Sequence, residues 1–517
     1  GAISVDRYAK QVSLTASRWR GGSYRSDLPV NLPGQSRPTV IAGGGGYTET
    51  EAVAEAGRCL DCHCRECLRQ CRMLEKFGKT PRQYIREIAN NLIITMGIRK
   101  ANMMINSCSQ CGLCRDVCPN GLDMGGVFLA ARENMVKKGN MPERVYDFPL
   151  RDMLFSVSGE FDLWREDPAG GADYLFFPGC QLAAGAPQYI APLYQHLRQI
   201  LPGGVGLGLS CCGAPAHWAG QQELKQQTRE KLMAEWRRLG QPILITGCTT
   251  CYQEFLPVIG AEKLTTVWDV LAQYGLPPQE TALPGHVFAI HDPCTSRQMG
   301  ETQANLRKIA VQLGCRIREM PHSGADTRCC GYGGLAIFGN PQLTQELQQQ
   351  RLAETDQDLL TYCWVCRDYL GAAAEKQGRY GTVYHLMDLL FGGGIPAPRA
   401  DISTKRANRR WLKQELLQQL WGEGTSPVSS LQKYRLVAGL PLLLEQRLIL
   451  IEDIAAVVEQ AEQSGYKLIR PGVGHYIAHL RRGIVTYWVE YSITAEGYLI
   501  HNAYSHRIQL LTEGLNY

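Results

Sequence analysis

Nineteen of the chain's 20 cysteines fall into four sets. Cys59, Cys62, Cys67 and Cys71, with Cys64 beside them, make the first, and Cys108, Cys111, Cys114 and Cys118 the second. The third is Cys180, Cys211, Cys212, Cys248 and Cys251; the fourth is Cys294, Cys329, Cys330, Cys363 and Cys366. Both follow one plan: a lone cysteine, an adjacent pair followed by glycine, then C-x-x-C. Only Cys315 stands outside, as expected of a buried apolar thiol. Thiolates grouped at these spacings suit iron–sulfur ligation, so the chemistry they point to is electron transfer.

Two other uses of cysteine fit less well. Disulfide scaffolds are small secreted domains, and their cysteines do not gather as C-x-x-C plus C-C. Structural zinc also uses C-x-x-C pairs but takes four ligands per site, which the five-cysteine sets exceed. Ligating thiolates call for a reducing compartment, hence the cytoplasm.

The remaining composition sets bounds. A length of 517 residues implies several domains. With 44% hydrophobic and 20% charged residues and a net charge of +5, the chain reads as globular, with little argument for nucleic acid or acidic lipid. The longest apolar stretch, Leu436 to Ile451, is broken by Pro441, Glu445 and Arg447, which argues against a membrane span. No signal-peptide pattern opens the sequence.

The elements that must position the cysteines divide into five regions. Residues 1–50 read as an extension or linker; Gly43 to Gly46 is followed by Tyr47-Thr48, which spoils a phosphate-loop reading. Residues 51–145 read as a helical module holding two [4Fe–4S] clusters. Helices are expected from Thr48 towards Cys59 and over Pro81 to Met96, with a boundary marked by Pro142 and Pro149. An internal repeat follows, its cysteines recurring after about 115 residues. Tyr174-Leu-Phe-Phe-Pro-Gly-Cys180 answers to Val287-Phe-Ala-Ile-His-Asp-Pro-Cys294, and Cys211-Cys-Gly213 to Cys329-Cys-Gly331. Ile243-Leu-Ile-Thr-Gly-Cys248 answers to Leu359-Leu-Thr-Tyr-Cys363. Strands alternating with helices make these two α/β domains, 172–285 and 286–395. After the Gly392–Pro398 linker comes a basic helix, Lys405 to Trp421, whose Trp411 and Trp421 are expected to pack on a domain. A small α+β domain closes the chain at 430–517, with a helix through Ile454, Val457, Val458 and Ala461 and an antiparallel sheet including Val485 to Ile493. Its His475, His479, His501 and His506 are assigned sheet or interface roles.

Cys108-x2-Cys111-x2-Cys114-x3-Cys118-Pro119 is the run of bacterial ferredoxins. Its partner, Cys59-x2-Cys62-x4-Cys67-x3-Cys71-Arg72, has a longer middle gap and resembles the dicluster segment attached to glutamate-synthase-type flavoproteins. That resemblance implies two cubanes with crossed ligation. Cys59, Cys62, Cys67 and Cys118 would hold one, and Cys108, Cys111, Cys114 and Cys71 the other, with Cys64 as the alternative to Cys67. The opening Gly1-Ala-Ile-Ser-Val-Asp-Arg-Tyr8 is similar to the closing helix of the flavin- and NAD(P)H-binding half of the same proteins. This implies a flavoprotein module that precedes the chain or binds it, with flavin only there.

The paired five-cysteine sets resemble the cysteine-rich (CCG) domain pair of heterodisulfide reductase catalytic subunits, over about 172–395. Relatives in that family serve anaerobic glycerol-3-phosphate, glycolate and lactate oxidation. The resemblance implies a noncubane [4Fe–4S] cluster in each complete set. The implied function is an enzyme, a heterodisulfide-reductase-like oxidoreductase, taking electrons from a flavoprotein or NAD(P)H through the cubanes to a noncubane pair that reduces a disulfide or related thiol substrate. His217 and His291 are candidate general acids for the thiol products; Gly213, Gly331, Gly333 and Gly334 would let backbone approach the clusters. Two other readings stand beside it: an electron-transfer subunit of an anaerobic dehydrogenase delivering to quinone, attached peripherally to a membrane through a partner, and a non-catalytic interaction scaffold.

Overall fold

The computed structural model describes residues 48–56, 64–94, 97–278, 283–424 and 431–507. Cys59, Cys62, the Gly43–Gly46 run and the flavoprotein-like opening octapeptide lie outside the described residues. The chain divides into two compact units. One comprises the described residues up to Glu143 with Trp218–Gln221 and Asp326–Arg351; the other comprises Arg144–His217, Gln222–Ala325 and the described residues from Leu352 on. Cys329 and Cys330 belong to the first unit; the other cysteines of both five-cysteine sets belong to the second.

The described elements of the first unit are helical. Pro81–Ile93 starts with Pro at its first position behind a Thr80/Gln83 capping box, which satisfies the donors that a helix start leaves orphaned. It ends before the expected Met96. Short helices Glu66–Gln70, Arg72–Phe77 and Leu113–Asp116 carry or flank cysteines, and the longer Met124–Lys137 packs behind them. Their core gathers Tyr84, Ile88, Met104, Ile105, Phe128, Met135 and Leu343.

In the second unit, helix α1 (Glu143–Ser156) leads into the repeat. Pro149 lies inside this helix and is buried, so the expected break there does not occur. Tertiary packing overrides the lost backbone bond. The first repeat contributes β1 (Leu163–Arg165), β2 (Tyr174–Phe177), α2 (Cys180–Gly185), β3 (Val205–Leu209), β4 (Ile243–Thr246), α3 (Thr249–Ile259) and β5 (Leu264–Thr266). The second contributes β6 (Val287–His291), β7 (Arg316–Arg318), β8 (Asp358–Thr361), α4 (Trp364–Glu375) and β9 (Val383–His385). Sheet orders are β1-β3-β2-β4-β5 and β7-β6-β8-β9. Every pairing is parallel except the added antiparallel β1. Removing β1 leaves the same order in both sheets, so the repeat read from the cysteines is a repeat of topology. The central strands are buried on both faces and accordingly read as continuous apolar runs.

Helix α5 (Ile402–Trp421) starts three residues before the expected Lys405, because Asp401 caps it, accepting from the Ser403 and Thr404 amides at 2.8 and 2.9 Å. Trp421 packs against the core, whereas Trp411 stays 44% exposed, contrary to expectation. The last elements form a sheet ordered β10-β14-β13-β12-β11 (Tyr434–Leu436, Gly497–His506, Val485–Thr494, His475–Arg482, Leu468–Arg470). It is antiparallel apart from the parallel β10–β14 pair. Helix Ile451–Ser464 covers the face carrying Ala478, Val489 and Tyr491.

Candidate iron–sulfur site

In the first unit, Cys71 sits at the joint between helices Glu66–Gln70 and Arg72–Phe77. Burial, and then the charge of Cys111 with smaller contributions from Cys108 and Cys114, pushes its thiol well above the ordinary range. Burial likewise pushes Cys108 up to about 12 and raises Cys114. Cys71, Cys108, Cys111 and Cys114 line one cavity, together with Arg328 and Cys329. Crowded thiols that resist deprotonation without a cation match a metal site, where the metal ions favour the thiolate form. Cys67 is buried and Cys64 half-buried.

Arg132, fully buried, fixes the cysteine loop. Its Nη2 donates to the Cys108 carbonyl at 2.8 Å and its Nε to that of Ile105 at 3.2 Å. Its Nη1 donates to the carbonyls of Trp218 at 2.8 Å and Gly334 at 2.7 Å. A Cβ on Gly334 would lie 2.3 Å from the Cys108 oxygen, so only glycine fits there. Gly331 donates its amide to Cys329 Sγ at 3.3 Å and has φ of +91°. Gly333 also abuts this loop, 2.5 Å from the Ser109 oxygen at its would-be Cβ.

In the second unit, the third set is complete. Cys180 opens α2, Cys211 and Cys212 follow β3, Cys248 precedes α3 and Cys251 lies in its first turn. Their sulfurs form an unbroken hydrogen-bonded line. Cys180 lies in hydrogen-bonding contact with Cys211, Cys211 with Cys212, and Cys251 with both Cys212 and Cys248. The line continues into the fourth set, where Cys363 is in contact with Cys248 and with Cys366. Contact with two neighbouring sulfurs pushes the Cys212 and Cys248 thiols down and the Cys251 thiol up. Cys294 follows β6, in the turn Cys294–Ser296.

The repeats interlock around these sulfurs. Thr249 at the start of α3 shares a 2.6 Å hydroxyl bond with Thr295, and Gln253 Nε2 donates to the Thr295 carbonyl at 3.0 Å. In the equivalent relation, Trp364 at the start of α4 lies against Gly185 in α2, where a Cβ would come within 1.7 Å of its indole nitrogen. Gly213 (φ +88°), the counterpart of Gly331, turns the chain after the cysteine pair. A Cβ on Gly179 would lie 3.2 Å from that of Cys248.

Of the two candidate acids, His217 has 28% of its side chain exposed, and its Nδ1 meets Glu254 Oε1 at 2.6 Å. Glu254 escaped sequence reading, although its position three residues after Cys251 puts it on the same face of α3. His291 ends β6 with no exposed surface. Beside it, Asp292 accepts from Arg307 at 3.1 and 2.8 Å, from the Tyr362 hydroxyl at 2.9 Å and from the Gly324 amide at 2.7 Å. Burial pushes its carboxyl up, but Arg307, the Gly324 amide and the Tyr362 hydroxyl together outweigh this and the net shift is downward. Cys315 is buried in the apolar core. In the terminal sheet His475 bonds Glu490 and stacks on His501 at 3.7 Å, while Trp488 donates to His506.

These donor sets fit iron–sulfur groups: buried thiols in contact, amides directed at sulfur, and glycines where side chains would intrude. Comparison with known proteins agrees. A family model described as a 4Fe-4S dicluster domain matches residues 58–123, and one described as a cysteine-rich domain matches twice, at 174–255 and 288–370. The chain is 24% identical to a subunit of the dihydromethanophenazine:CoB–CoM heterodisulfide reductase of Methanosarcina mazei, over 50% of this chain and 70% of that protein. It is 24% identical to a subunit of the fumarate reductase (CoM/CoB) of Methanothermobacter marburgensis, over 62% and 66%. The glycolate oxidase iron-sulfur subunit of Escherichia coli matches at 22%, over 64% of this chain and 96% of its own length.

Proposed function

We propose that this iron–sulfur electron-transfer protein, related to subunits of heterodisulfide reductase and of fumarate reductase (CoM/CoB), reduces a disulfide or related thiol substrate with electrons from a flavoprotein or NAD(P)H-oxidising partner. The observation that carries the reading is the sulfur line from Cys180 to Cys366, which joins one complete five-cysteine set to Cys363 of the next. Cys71, Cys108, Cys111 and Cys114 would hold one cubane; Cys118 with the first-set cysteines would hold the other. Cys180, Cys211, Cys212, Cys248 and Cys251 would hold a noncubane cluster, and the fourth set its counterpart. Bound there, the clusters supply one-electron transfer. His217, partly exposed and oriented by Glu254, would deliver the proton that a departing thiolate takes up. The relatives are subunits, which supports a partner protein as the electron source. Among the described residues no helix is long and apolar enough to cross a membrane.

The test is anaerobic iron and sulfide content with EPR, on wild type and a Cys212→Ser/Cys330→Ser variant. About 16 irons per chain, with a thiol-dependent oxidised signal lost in the variant, supports the reading. About eight irons and cubane signals alone would leave a two-cubane relay. That second reading, an electron-transfer subunit of a dehydrogenase, draws on the near-complete coverage of the glycolate oxidase subunit.

A further inference from the structure

Arg409, on α5, is 1% exposed. Its helix packs against α2, the helix that Cys180 opens, and the neighbouring Asn408 donates to the Ala184 carbonyl at 2.7 Å. Against α1, its Nη1 donates to Asp152 Oδ1 at 3.0 Å and Ser156 Oγ at 2.8 Å, and its Nη2 to Asp152 Oδ2 at 2.8 Å. Its Nε is buried without a hydrogen-bond partner. Beside Asp152 on α1, Met153 packs with Cys180, Cys211 and Ala216. The guanidinium is therefore held on Asp152, on a helix packed against the one that Cys180 opens. Burial opposes the charge of Arg409 and Asp152 restores it, with Cys180 and Cys211 close enough to add to that.

A buried N–H with nothing to bond is costly, and here it belongs to a cation. The neighbouring arginines differ: Arg406 donates its Nε to Asp152 at 3.4 Å, and Arg410 is shared between Glu160 and Glu452. A sulfur-rich anionic group held by Cys180 and Cys211 would supply the missing acceptor and favour the positive charge.

We infer that Arg409 is a positioning residue for the third cysteine set, donating through Nε to the group those cysteines hold and raising its reduction potential. This rests on the reading that the set carries an iron–sulfur cluster. Hydrogen bonds to sulfur and nearby charge are the levers by which a protein tunes such a group, and a cation favours the more negative, reduced form.

The test is an EPR-monitored redox titration of anaerobically reconstituted holoprotein. The signal belonging to the set is the one that Cys212→Ser removes. The Asp152→Asn/Arg409→Gln variant replaces a buried ion pair with two amides, while Arg406, which also meets Asp152, keeps Glu452. It is expected to keep wild-type iron while that signal's reduced-to-oxidised ratio at fixed potential falls about tenfold, a negative shift of about 59 mV for one electron. Arg409→Lys, which retains the charge, should shift less, and Arg410→Gln should match wild type. An unmoved potential in the fully loaded double variant overturns the inference and leaves the reading intact. A wild type with no iron or signal assignable to the set overturns both.

Discussion

The sulfurs of Cys363 and Cys248 are in hydrogen-bonding contact, so a cysteine of one repeat meets its counterpart in the other. Each is the first cysteine of its C-x-x-C and the residue capping the helix that carries the second. In iron-free protein treated with one equivalent of a thiol oxidant, the two should become linked. Peptide mapping by mass spectrometry is expected to find a Cys248–Cys363 disulfide as a main cross-repeat product, and its loss in Cys248→Ser.

Arg132 joins the carbonyls of Ile105, Cys108, Trp218 and Gly334. Bonds from a charged donor contribute about 1.5–3 kcal/mol each, so Arg132→Leu should cost several kcal/mol and release the Cys108 loop. The expected outcome is a lower unfolding midpoint with loss of about four to eight irons, read by colorimetric iron analysis.

His217 and Glu254 make a prediction about rate rather than loading. His217→Gln should reduce disulfide turnover about 100-fold, the lower end for general acid catalysis, with iron content and EPR signals unchanged. Glu254→Gln, which leaves the imidazole present but less well held, should reduce it by less. Steady-state assay beside iron determination separates the two effects.

Trp364 fills the space over Gly185 and lies 5.2 Å from the His385 ring. Gly185→Ala should therefore destabilise the protein by about 1–3 kcal/mol or more through overpacking. The Gly185→Ala/Trp364→Phe pair should recover part of that loss in thermal melts.

His385 is held down to about 3, chiefly by burial and then by Arg367. Its unfolded value is about 6.5, so below that pH the unfolded chain takes up a proton that the folded chain refuses. The folded state has its full stability above pH 6.5 and loses about 1.4 kcal/mol per unit as pH falls towards 3. Denaturant unfolding at pH 7.5 and 5.5 should show wild type losing about 1.4 kcal/mol more than His385→Gln over that interval.

The cysteine spacing and the repeat were legible because ligand spacing and strand–helix alternation are local properties. The apolar runs at Tyr174 and Val287 read as buried strands, and they pair in equivalent places. Arg132, Arg409 and Glu254 were not legible. Each acts across long stretches of sequence, and a lone charged residue on a helix normally faces solvent. Pro149 misled for the opposite reason: a strong local helix breaker is tolerated where burial holds the helix together. The α+β terminal sheet was legible through alternation at Val485–Tyr491, but the parallel β10–β14 pair was not, since no tight turn announces it.

The exchange of contacts between repeats, α3 on the Cys294 turn and α4 on α2, bears on how the two halves could be separated. Each repeat keeps its own sheet, so a nick in the connection between Tyr274 and Val287 would sever no strand pairing. Each half alone would nonetheless display the start of its C-x-x-C helix as an uncovered surface. Two separately encoded fragments of this region would thus behave as obligate partners, sticky in isolation and recovered only when made together.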